Sequence, residues 1–292
     1  MQQPVSVITN PSAGGGRAAK VLGEVEALLS AKQVDFSVAL TRDLPHAREL
    51  AIEAATKGRT AVAIGGDGLV GAVAAACAEA NGVLAIVPGG RGNDLARVLE
   101  IPTDVEQALE IALNGREGTM DLGEANGRPF CCIASLGFDS DANRIANETR
   151  VPGQLAYLWA AIKALAGWKP ANFKLKLDGE AIELEGFSVI AANSKAYGGG
   201  MFIAPDADLH DGLVDVVTIE GCSKSRFLVL LPGVFSGKHV GNKEVTVRRG
   251  KVLSIEADRP FTVYADGDPL CELPATVKIR PGAVRLMLPT IS

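Results

Sequence analysis

Apolar residues in the first third of the chain follow two alternating spacings. Short apolar runs, typical of buried strands, occur at Val5–Thr9, Ala61–Ile64 and Val83–Val87, and apolar residues alternate, as in a strand, over Val34–Leu40. Between these runs, apolar residues recur at intervals of three and four, as they do on one face of an amphipathic helix. Strands that alternate with helices of about 10 to 15 residues predict a parallel sheet with helices on both faces.

The pattern changes near Asp121, where alternation of apolar and polar residues becomes the rule. The apolar residues of 173–177 alternate up to Asp178-Gly179, a dipeptide that favours a type I′ hairpin turn. Many short strands separated by Gly and Pro predict an antiparallel β-sandwich. The further strand candidates are Phe130–Leu136, Val189–Ala192, Leu213–Val217, Glu244–Val247, Val252–Glu256, Thr262–Ala265 and Val277–Arg280.

The fold class that these patterns predict is α/β, with two domains. Residues 1–122 form an N-terminal doubly wound parallel sheet, and residues 123–283 form a C-terminal antiparallel β-sandwich. The last segment, residues 284–292, is a candidate to return to the first sheet, because Leu286-Met287-Leu288 reads as a short edge strand.

Composition narrows the class of protein. The chain has 292 residues, of which 47% are hydrophobic and 22% charged, as in a globular protein. Its net charge of −5 argues against nucleic acid as a partner. The five cysteines lack paired C-x-x-C spacing, so we expect neither disulfides nor a zinc site, which fits a reducing cytoplasm. The start resembles no signal peptide, and no apolar run reaches the roughly 18 residues of a membrane span.

Three glycine-rich turns follow strands of the first domain, after Thr9, after Ile64 and after Val87. Ligands gather at the carboxyl ends of parallel strands, and a helix that leaves such a turn directs N–H groups at a phosphate. Asp67, within Gly65-Gly66-Asp67-Gly68, would repel a phosphate unless a divalent cation lay between them, which suggests Mg²⁺. An ordinary strand-to-helix turn with Asp67 near the N-cap explains the same residues. No P-loop is present, and the dinucleotide glycine pattern is absent at the first strand.

The motifs, taken in order, resemble those of the bacterial diacylglycerol kinase (lipid kinase) family over essentially the whole chain. They are Asn10-Pro11-x-x-Gly14, Gly65-Gly66-Asp67-Gly68, Pro88-Gly89 with Asn93-Asp94 and Ala96, Gly137-Phe138-Asp139, Asp206-x-Asp208-x-x-Asp211-Gly212-x-x-Asp215 and Asp266-Gly267-Asp268. The resemblance implies ATP-dependent phosphorylation of a membrane lipid, with diacylglycerol converted to phosphatidic acid, and ATP and Mg²⁺ as cofactors. Two alternatives stay open: a kinase of a soluble hydroxyl compound, as in NAD kinases, and a catalytically silent nucleotide-binding regulatory protein.

The resemblance also implies site residues. Asp268 takes the position of the family's catalytic base, with Asp266 and Asp67 as the other catalytic carboxylates. A structural Mg²⁺ site would comprise Asp208, Asp211 and the carbonyl of Leu213. The ATP site would comprise Asn10, Gly14, Thr41, Gly65, Gly66, Asp67, Gly68, Gly89, Gly90, Arg91, Asn93 and Asp94.

The sequence departs from the family pattern at three of these places. Leu69 and Arg91 stand where the family usually has Thr, and Asp268 stands where it has Glu. Arg91 offers a forked cationic donor in place of the hydroxyl. Asp178-Gly179-Glu180 matches the family's C-terminal motif better by letter, but a hairpin turn explains it and we assign it no chemistry.

A lipid substrate places the protein at a membrane surface, with peripheral contact from the cytoplasmic side. Two segments are candidates for that contact. Residues 155–169 carry two Trp, a Tyr and Lys, which suits an interfacial helix, although a helix packed on the sandwich has the same composition. Phe227–Phe235 precedes a cluster of basic residues. The second domain is then the side of the lipid substrate and the structural metal, and a homodimer is left open.

Overall fold

A computed structural model describes residues 3–12, 15–138, 140, 142, 145, 159, 163–165 and 167–290. Within it the chain divides into two compact units. Met1–Met120 and Gly282–Ser292 form the first, and Asp121–Pro281 forms the second. The sequence placed the corresponding boundaries at residues 122 and 283.

The first unit is built on parallel strands in the order β15, β4, β3, β1, β2. Its strands are β1 (Val5–Thr9), β2 (Phe36–Leu40), β3 (Thr60–Gly65), β4 (Val83–Pro88) and the end of β15 (Ala275–Leu288). Its helices are α1 (Arg17–Ala31), α2 (Leu44–Thr56), α3 (Asp67–Ala80), α4 (Asp94–Val98) and α5 (Val105–Asn114). The predicted parallel sheet is thus confirmed.

Burial explains why this sheet forms. Every residue of β1 and β3 is buried, as expected of strands covered on both faces. Helix α1 buries Val21, Val25 and Leu29, which recur at intervals of four. The buried residues of α2 are all alanines, whereas α3 buries larger apolar side chains together with three alanines.

The second unit is antiparallel, as the alternation predicted. Its strands follow the order β14, β13, β7, β9, β8, β12, β15, and β10 pairs with both β9 and β11. Beyond the first unit the strands are β5 (Arg116–Ala125), β6 (Arg128–Phe130), β7 (Ile133–Gly137), β8 (Ala171–Leu177), β9 (Glu180–Ala192), β10 (Val214–Glu220), β11 (Val245–Gly250), β12 (Val252–Ala257), β13 (Thr262–Ala265) and β14 (Asp268–Glu272). A helix, α6 (Lys224–Val234), and a 3-10 helix (Lys238–Gly241) complete it.

Several predicted strands are parts of longer ones. The hairpin turn at Asp178-Gly179 is present with positive φ at both residues, and its second strand runs on through Val189–Ala192 as one strand, β9. The two strand candidates near the end likewise form the single strand β15. The predicted strand Phe130–Leu136 is interrupted between β6 and β7.

Aromatic side chains anchor α6 in the second unit. The Phe227 ring stacks on Phe187 with centroids 4.5 Å apart and lies 4.6 Å from that of Phe138. Phe227 is 2% exposed. Aromatic pairs of this geometry contribute about 1 kcal/mol each beyond the area they bury. One face of α6 is therefore fixed to the core.

Candidate active site

A cleft of about 410 Å³ lies in the first unit at the ends of the strands. That volume lies in the range of small-molecule sites, about 300 to 1,000 Å³. The lining comes from four loops, which are the three predicted glycine turns and the loop that follows β2. The lining residues are Asn10, Gly15, Thr41, Asp43, Leu44, Gly66, Asp67, Gly68, Leu69, Gly90 and Arg91. Gly14, the remaining predicted member of the first turn, lies outside the described residues.

The second and third glycine turns pack directly on each other. A Cβ added at Gly90 would lie 2.3 Å from the Cα of Gly66, and one at Gly66 would lie 3.2 Å from the Cα of Gly90. Gly89 donates its backbone N–H to the carbonyl of Gly65 at 2.9 Å. These glycines are therefore required by the contact between two turns, and the absent side chains face protein rather than the cleft.

Asp67 is the polar link between the two turns. It is the first residue of α3, but its Oδ1 accepts the backbone N–H of Asp94 at 2.6 Å and approaches that of Leu95 at 3.4 Å. It thereby caps α4, a helix far along the chain. Burial, followed by the negative charge of Asp94, raises the pKa of the Asp67 carboxyl.

The carboxylates of Asp67 and Asp94 converge beside Gly92. A Cβ added at Gly92 would lie 2.6 Å from Oδ2 of Asp67 and 3.4 Å from Oδ2 of Asp94. Asp94 is 5% exposed, and its Oδ1 accepts from Arg97 at 2.7 Å. Two carboxylate oxygens around a space that only glycine leaves open form a donor set of the kind that Mg²⁺ prefers. The residues present therefore fit a divalent cation.

Asn93 and two arginines shape the rim of the third turn. Asn93 is the N-cap residue of α4, but its side chain folds back on Gly90, accepting from the N–H at 3.0 Å and donating to the carbonyl at 3.2 Å. The same carbonyl accepts from Arg17 of α1 at 3.0 Å. Arg91 lines the cleft and is exposed. Arg91 therefore brings a cationic side chain to the cleft, whereas Arg17 is bonded to the backbone of the same turn.

The cleft fits a nucleotide phosphate chain. Among the described residues, no side chain caps α3, whose first residues line the cleft. The N–H groups at such a helix start favour an anion. Leu69 is 7% exposed, and its Cδ2 would lie 2.7 Å from a Cβ on Gly65. The residue that replaces the family's Thr thus packs on the strand end and leaves phosphate contact to the backbone.

The first turn and the strand end after β2 supply polar edges. Asn10 accepts from the N–H of Ser12 at 3.0 Å, and the buried Thr41 donates its hydroxyl to the carbonyl of Asp43 at 2.6 Å. The sequence did not single out Asp43, Leu44 or Arg17. Leu44 is apolar but 43% exposed. It stands at the start of a helix beside the cleft, and that position in the sequence is the feature that could have marked it as a site residue.

The carboxylates of the Asp266-Gly267-Asp268 turn have different surroundings. Asp266 and Gly267 form a two-residue turn with positive φ, closing the β13–β14 hairpin. The Asp266 carboxylate accepts three backbone N–H groups, from Cys131 at 2.6 Å, Cys132 at 2.8 Å and Ile133 at 3.1 Å. These bonds explain the break between β6 and β7. Asp266 thus holds a structural position.

Asp268 opens β14 and is exposed to solvent on one side. Desolvation by the protein on its other side raises the pKa of its carboxyl. A carboxylate with a raised pKa is a better proton acceptor than an ordinary aspartate. At the other Asp-Gly turn, Asp178 accepts backbone N–H groups of Lys251 and Val252, which lower its pKa, and Glu180 is exposed. This hairpin turn has the structural role expected of it.

The predicted structural metal residues occupy one loop before β10. Asp208 is exposed and accepts the N–H of His210 at 3.0 Å, and Asp211 accepts that of Leu213 at 2.9 Å. In the described parts of the chain, no three His, Cys, Asp or Glu side chains form a metal-binding group. The predicted set needs only two carboxylates and the carbonyl of Leu213, so it stays a prediction.

Buried charge beside this loop is compatible with a cation. Asp215 is 2% exposed, and burial raises the pKa of its carboxyl. Its Oδ1 accepts from Arg249 at 2.8 Å, whereas Oδ2 has no hydrogen-bond partner among the described residues. Asp206 and Asp211 add negative charge nearby. The loop thus carries more carboxylates than Arg249 balances, and hard oxygen donors of this kind fit Mg²⁺ or Ca²⁺.

The two segments considered for membrane contact differ in what the structure describes. Most of residues 155–169 lies outside the described residues, and Trp168, which is described, is buried against Phe138 and Phe261. The Phe227–Phe235 segment falls on α6 and the residue that follows it. Of the helices that the structure describes, none has the length and hydropathy of a bilayer-spanning segment.

Known proteins share both the sequence and this architecture. Residues 4–125 match the diacylglycerol kinase catalytic domain model, and residues 132–288 match the YegS C-terminal NAD kinase beta sandwich-like domain model. The crystal structure of a diacylglycerol kinase from Bacillus anthracis aligns with a TM-score of 0.77 at 21% identity, over 98% of this chain and 97% of that one. This fold is therefore that of the diacylglycerol kinase-like proteins.

Sequence relatives cover nearly the full chain. A protein named diacylglycerol kinase from Mycobacterium tuberculosis is 37% identical over 98% of this chain and 95% of its own length. A Pseudomonas aeruginosa protein named a probable lipid kinase, YegS-like, is 33% identical over 91% of this chain and 90% of its own. The chain belongs to the diacylglycerol kinase and YegS-like lipid kinase family. It is accordingly a kinase-family protein, and kinases use ATP, typically with a divalent metal.

Proposed function

We propose that this protein transfers the γ-phosphoryl group of ATP to the hydroxyl of a membrane lipid, converting diacylglycerol to phosphatidic acid. The observation that carries the proposal is the convergence of the Asp67 and Asp94 carboxylates beside Gly92, at the edge of a glycine-lined cleft. The name of the Mycobacterium tuberculosis relative supports diacylglycerol as the substrate class.

The first unit binds the nucleotide in this proposal. The start of α3 holds the phosphate chain through backbone N–H groups, with Arg91 of the third turn as a cationic donor. Mg²⁺ held by Asp67 and Asp94 would neutralise charge on the phosphoryl group as it transfers. Leu44 supplies an apolar surface for the adenine ring of ATP.

Asp268 is the general base. Its carboxylate accepts the proton of the lipid hydroxyl as the oxygen of that hydroxyl bonds to the γ-phosphorus. The bond between the γ-phosphorus and the bridging oxygen breaks, and ADP leaves with the electron pair. Asp266 acts on this step indirectly, because it fixes the turn from which Asp268 projects.

The test compares lipid and soluble acceptors under one set of conditions. Labelled ATP and Mg²⁺ are supplied with vesicles that contain diacylglycerol, with a total lipid extract, or with NAD and glycerol. We expect phosphatidic acid from the vesicles and little product from the soluble compounds. The Asp67→Asn variant should lose activity by about 10²-fold or more, because a carboxylate beside the transferring group is removed.

The results separate the alternatives. Phosphorylation of NAD or glycerol in preference to lipid would identify a kinase of soluble compounds. ATP binding without transfer to any acceptor would identify a regulatory nucleotide-binding protein. Another lipid labelled in the extract, with diacylglycerol unlabelled, would keep the reaction and replace the substrate.

A further inference from the structure

Helix α6 carries an exposed apolar face opposite the one that packs on the core. Phe227, Leu230 and Val234 are buried, whereas Leu228 is 40% and Val229 68% exposed. The other exposed residues of the helix at compatible spacing are Lys224, Ser225 and Pro232. Positions three and four apart lie on one side of a helix, so Ser225, Leu228, Val229 and Pro232 form one continuous stripe, here called the outer face.

The chain around this helix is strongly basic, although the whole protein is acidic. From Ser223 to Lys251 it carries seven Lys and Arg residues and one acidic residue, Glu244. Glu244 is buried and paired with Arg226 at 2.9 Å. Lys238 and Lys243 are exposed; the first begins the 3-10 helix that packs against α6, and the second lies two residues beyond its end. An apolar stripe thus stands beside two exposed positive charges.

We propose that the outer face of α6 is the surface by which the protein binds an anionic lipid bilayer. A helix of 11 residues is about 16 Å long, too short to span a membrane but suited to lie in the interface. Leu228 and Val229 enter the boundary between headgroups and acyl chains, while Lys238 and Lys243 attract the acidic headgroups. The inference rests on the proposed lipid-kinase function and gives it a docking surface.

Vesicle cosedimentation of the full chain tests the surface without relying on turnover. Vesicles of equal parts phosphatidylcholine and phosphatidylglycerol should bind the wild type, and vesicles of phosphatidylcholine alone should bind it much less. Replacing both aliphatic residues, Leu228→Ser and Val229→Ser, should weaken binding roughly tenfold. Lys238→Gln and Lys243→Gln should each weaken it about fivefold.

Matched controls alter the same residue types elsewhere. Ile52 of α2 is 39% exposed, and Lys176 of β8 is exposed. Ile52→Ser and Lys176→Gln should bind vesicles as the wild type does. All variants should bind ATP and melt normally, because the altered side chains are exposed. On diacylglycerol in vesicles the α6 variants should lose activity, and on short-chain diacylglycerol dispersed in detergent they should retain it.

Failure of the surface and failure of the function give different results. A wild type that binds vesicles but phosphorylates no lipid would overturn the proposed function, and the cosedimentation would still support the surface. Equal vesicle binding by the wild type and the Leu228→Ser/Val229→Ser variant would overturn the surface. If that variant changed from dimer to monomer and still bound vesicles, the surface would also be overturned, because the outer face would then bind a second copy of the chain.

Discussion

Asp67 performs two tasks that conflict electrostatically. Its Oδ1 caps α4 through the N–H of Asp94, while its Oδ2 faces the carboxylate of Asp94 beside Gly92. Capping stabilises a helix by about 1 kcal/mol. Burial, and after it the repulsion from the carboxylate of Asp94, raises the pKa of Asp67, so its negative charge is unfavourable in the folded protein. A cation bound between the two carboxylates would relieve this cost.

Asp67→Asn should consequently separate stability from activity. The amide oxygen can still accept the N–H of Asp94, and the negative charge is removed. We expect the free energy of unfolding at neutral pH, without metal, to stay equal or rise, while turnover falls. A loss of several kcal/mol would contradict this account of the pair.

The difference in free energy of unfolding between Asp67→Asn and the wild type should change with pH in one direction. The folded-state pKa of Asp67 lies above the ordinary value of 3.8. The contribution of Asp67 to the free energy of unfolding of the wild type is therefore fully present below pH 3.8, and it is lost as the pH rises through the folded-state pKa. The Asn variant has no such loss. Its stability relative to the wild type should therefore increase with pH across this window, as measured by denaturant unfolding at several pH values.

Asp268→Asn tests the base. We expect kcat to fall by about 10²-fold or more with ATP affinity unchanged, because the amide cannot accept the proton. Asp268→Glu should retain activity, since the carboxylate is kept. The raised pKa of Asp268 should place the acidic limb of the kcat profile above the pH expected for an ordinary aspartate.

The control for the base lies in the other Asp-Gly hairpin. Glu180→Gln alters an exposed carboxylate that follows a turn of the same type. Its kcat should equal that of the wild type. Loss of turnover in Glu180→Gln, with normal turnover in Asp268→Asn, would show that the catalytic carboxylate lies on the first hairpin instead.

At the scale of elements, the cleft depends on two turns that touch through glycines. The contact is asymmetric, because a Cβ at Gly90 would overlap the backbone of Gly66, whereas one at Gly66 would lie 3.2 Å from the Cα of Gly90, which is tight but needs only a small shift. A side chain at either glycine would therefore push the two turns apart.

Gly90→Ala should therefore be more damaging than Gly66→Ala. For Gly90→Ala we expect a loss of about 1 to 3 kcal/mol in the free energy of unfolding, typical of an overpacked site, together with weaker ATP binding. Gly66→Ala should cost less on both measures. Calorimetric ATP titration and denaturant unfolding of the two variants provide the comparison, and equal effects would rule out the turn contact as the reason.

The junction of β6 and β7 depends on the hydrogen bonds that the Asp266 carboxylate accepts. Asp266→Ala leaves three backbone N–H groups without their acceptor, and an unmet buried donor costs about 1 to 3 kcal/mol. We expect a clear fall in melting temperature, and a smaller one for Asp266→Asn, which keeps one acceptor oxygen. If Asp266→Ala lost turnover but kept its melting temperature, Asp266 would be a catalytic residue rather than a structural one.

At the scale of the molecule, a structural metal would link the acidic loop before β10 to overall stability. Metal that binds only the folded loop stabilises the protein by mass action. We expect chelation to lower the melting temperature and excess Mg²⁺ to restore it, with Asp211→Ala insensitive to both treatments. An identical melting temperature for the wild type in chelator and in Mg²⁺ would remove the metal from this loop.

Periodicity predicted the two sheets because burial imposes it directly on neighbouring residues. It could not show that Asp67 caps α4 or that Asp266 interrupts the strand at Cys131 and Cys132, since those bonds join distant parts of the chain. Strand β9 was read as two strands because its first half alternates, whereas its second half is buried throughout. The glycine turns marked the cleft, but the pattern of α1 gave no sign that Arg17 would bond to the carbonyl of Gly90 in the third turn.

The position of strand β15 in the first sheet affects how the protein folds while it is being synthesised. Arg285 and Leu286 pair in parallel with Val83 and Leu84 of β4, although the whole second unit lies between them in the chain. A ribosome makes the amino end first, so the nascent first unit waits with the β4 edge uncovered while the second is translated. Exposed strand edges recruit other strands. The newborn protein is therefore most vulnerable to aggregation, and most in need of chaperones, during the interval before β15 leaves the ribosome.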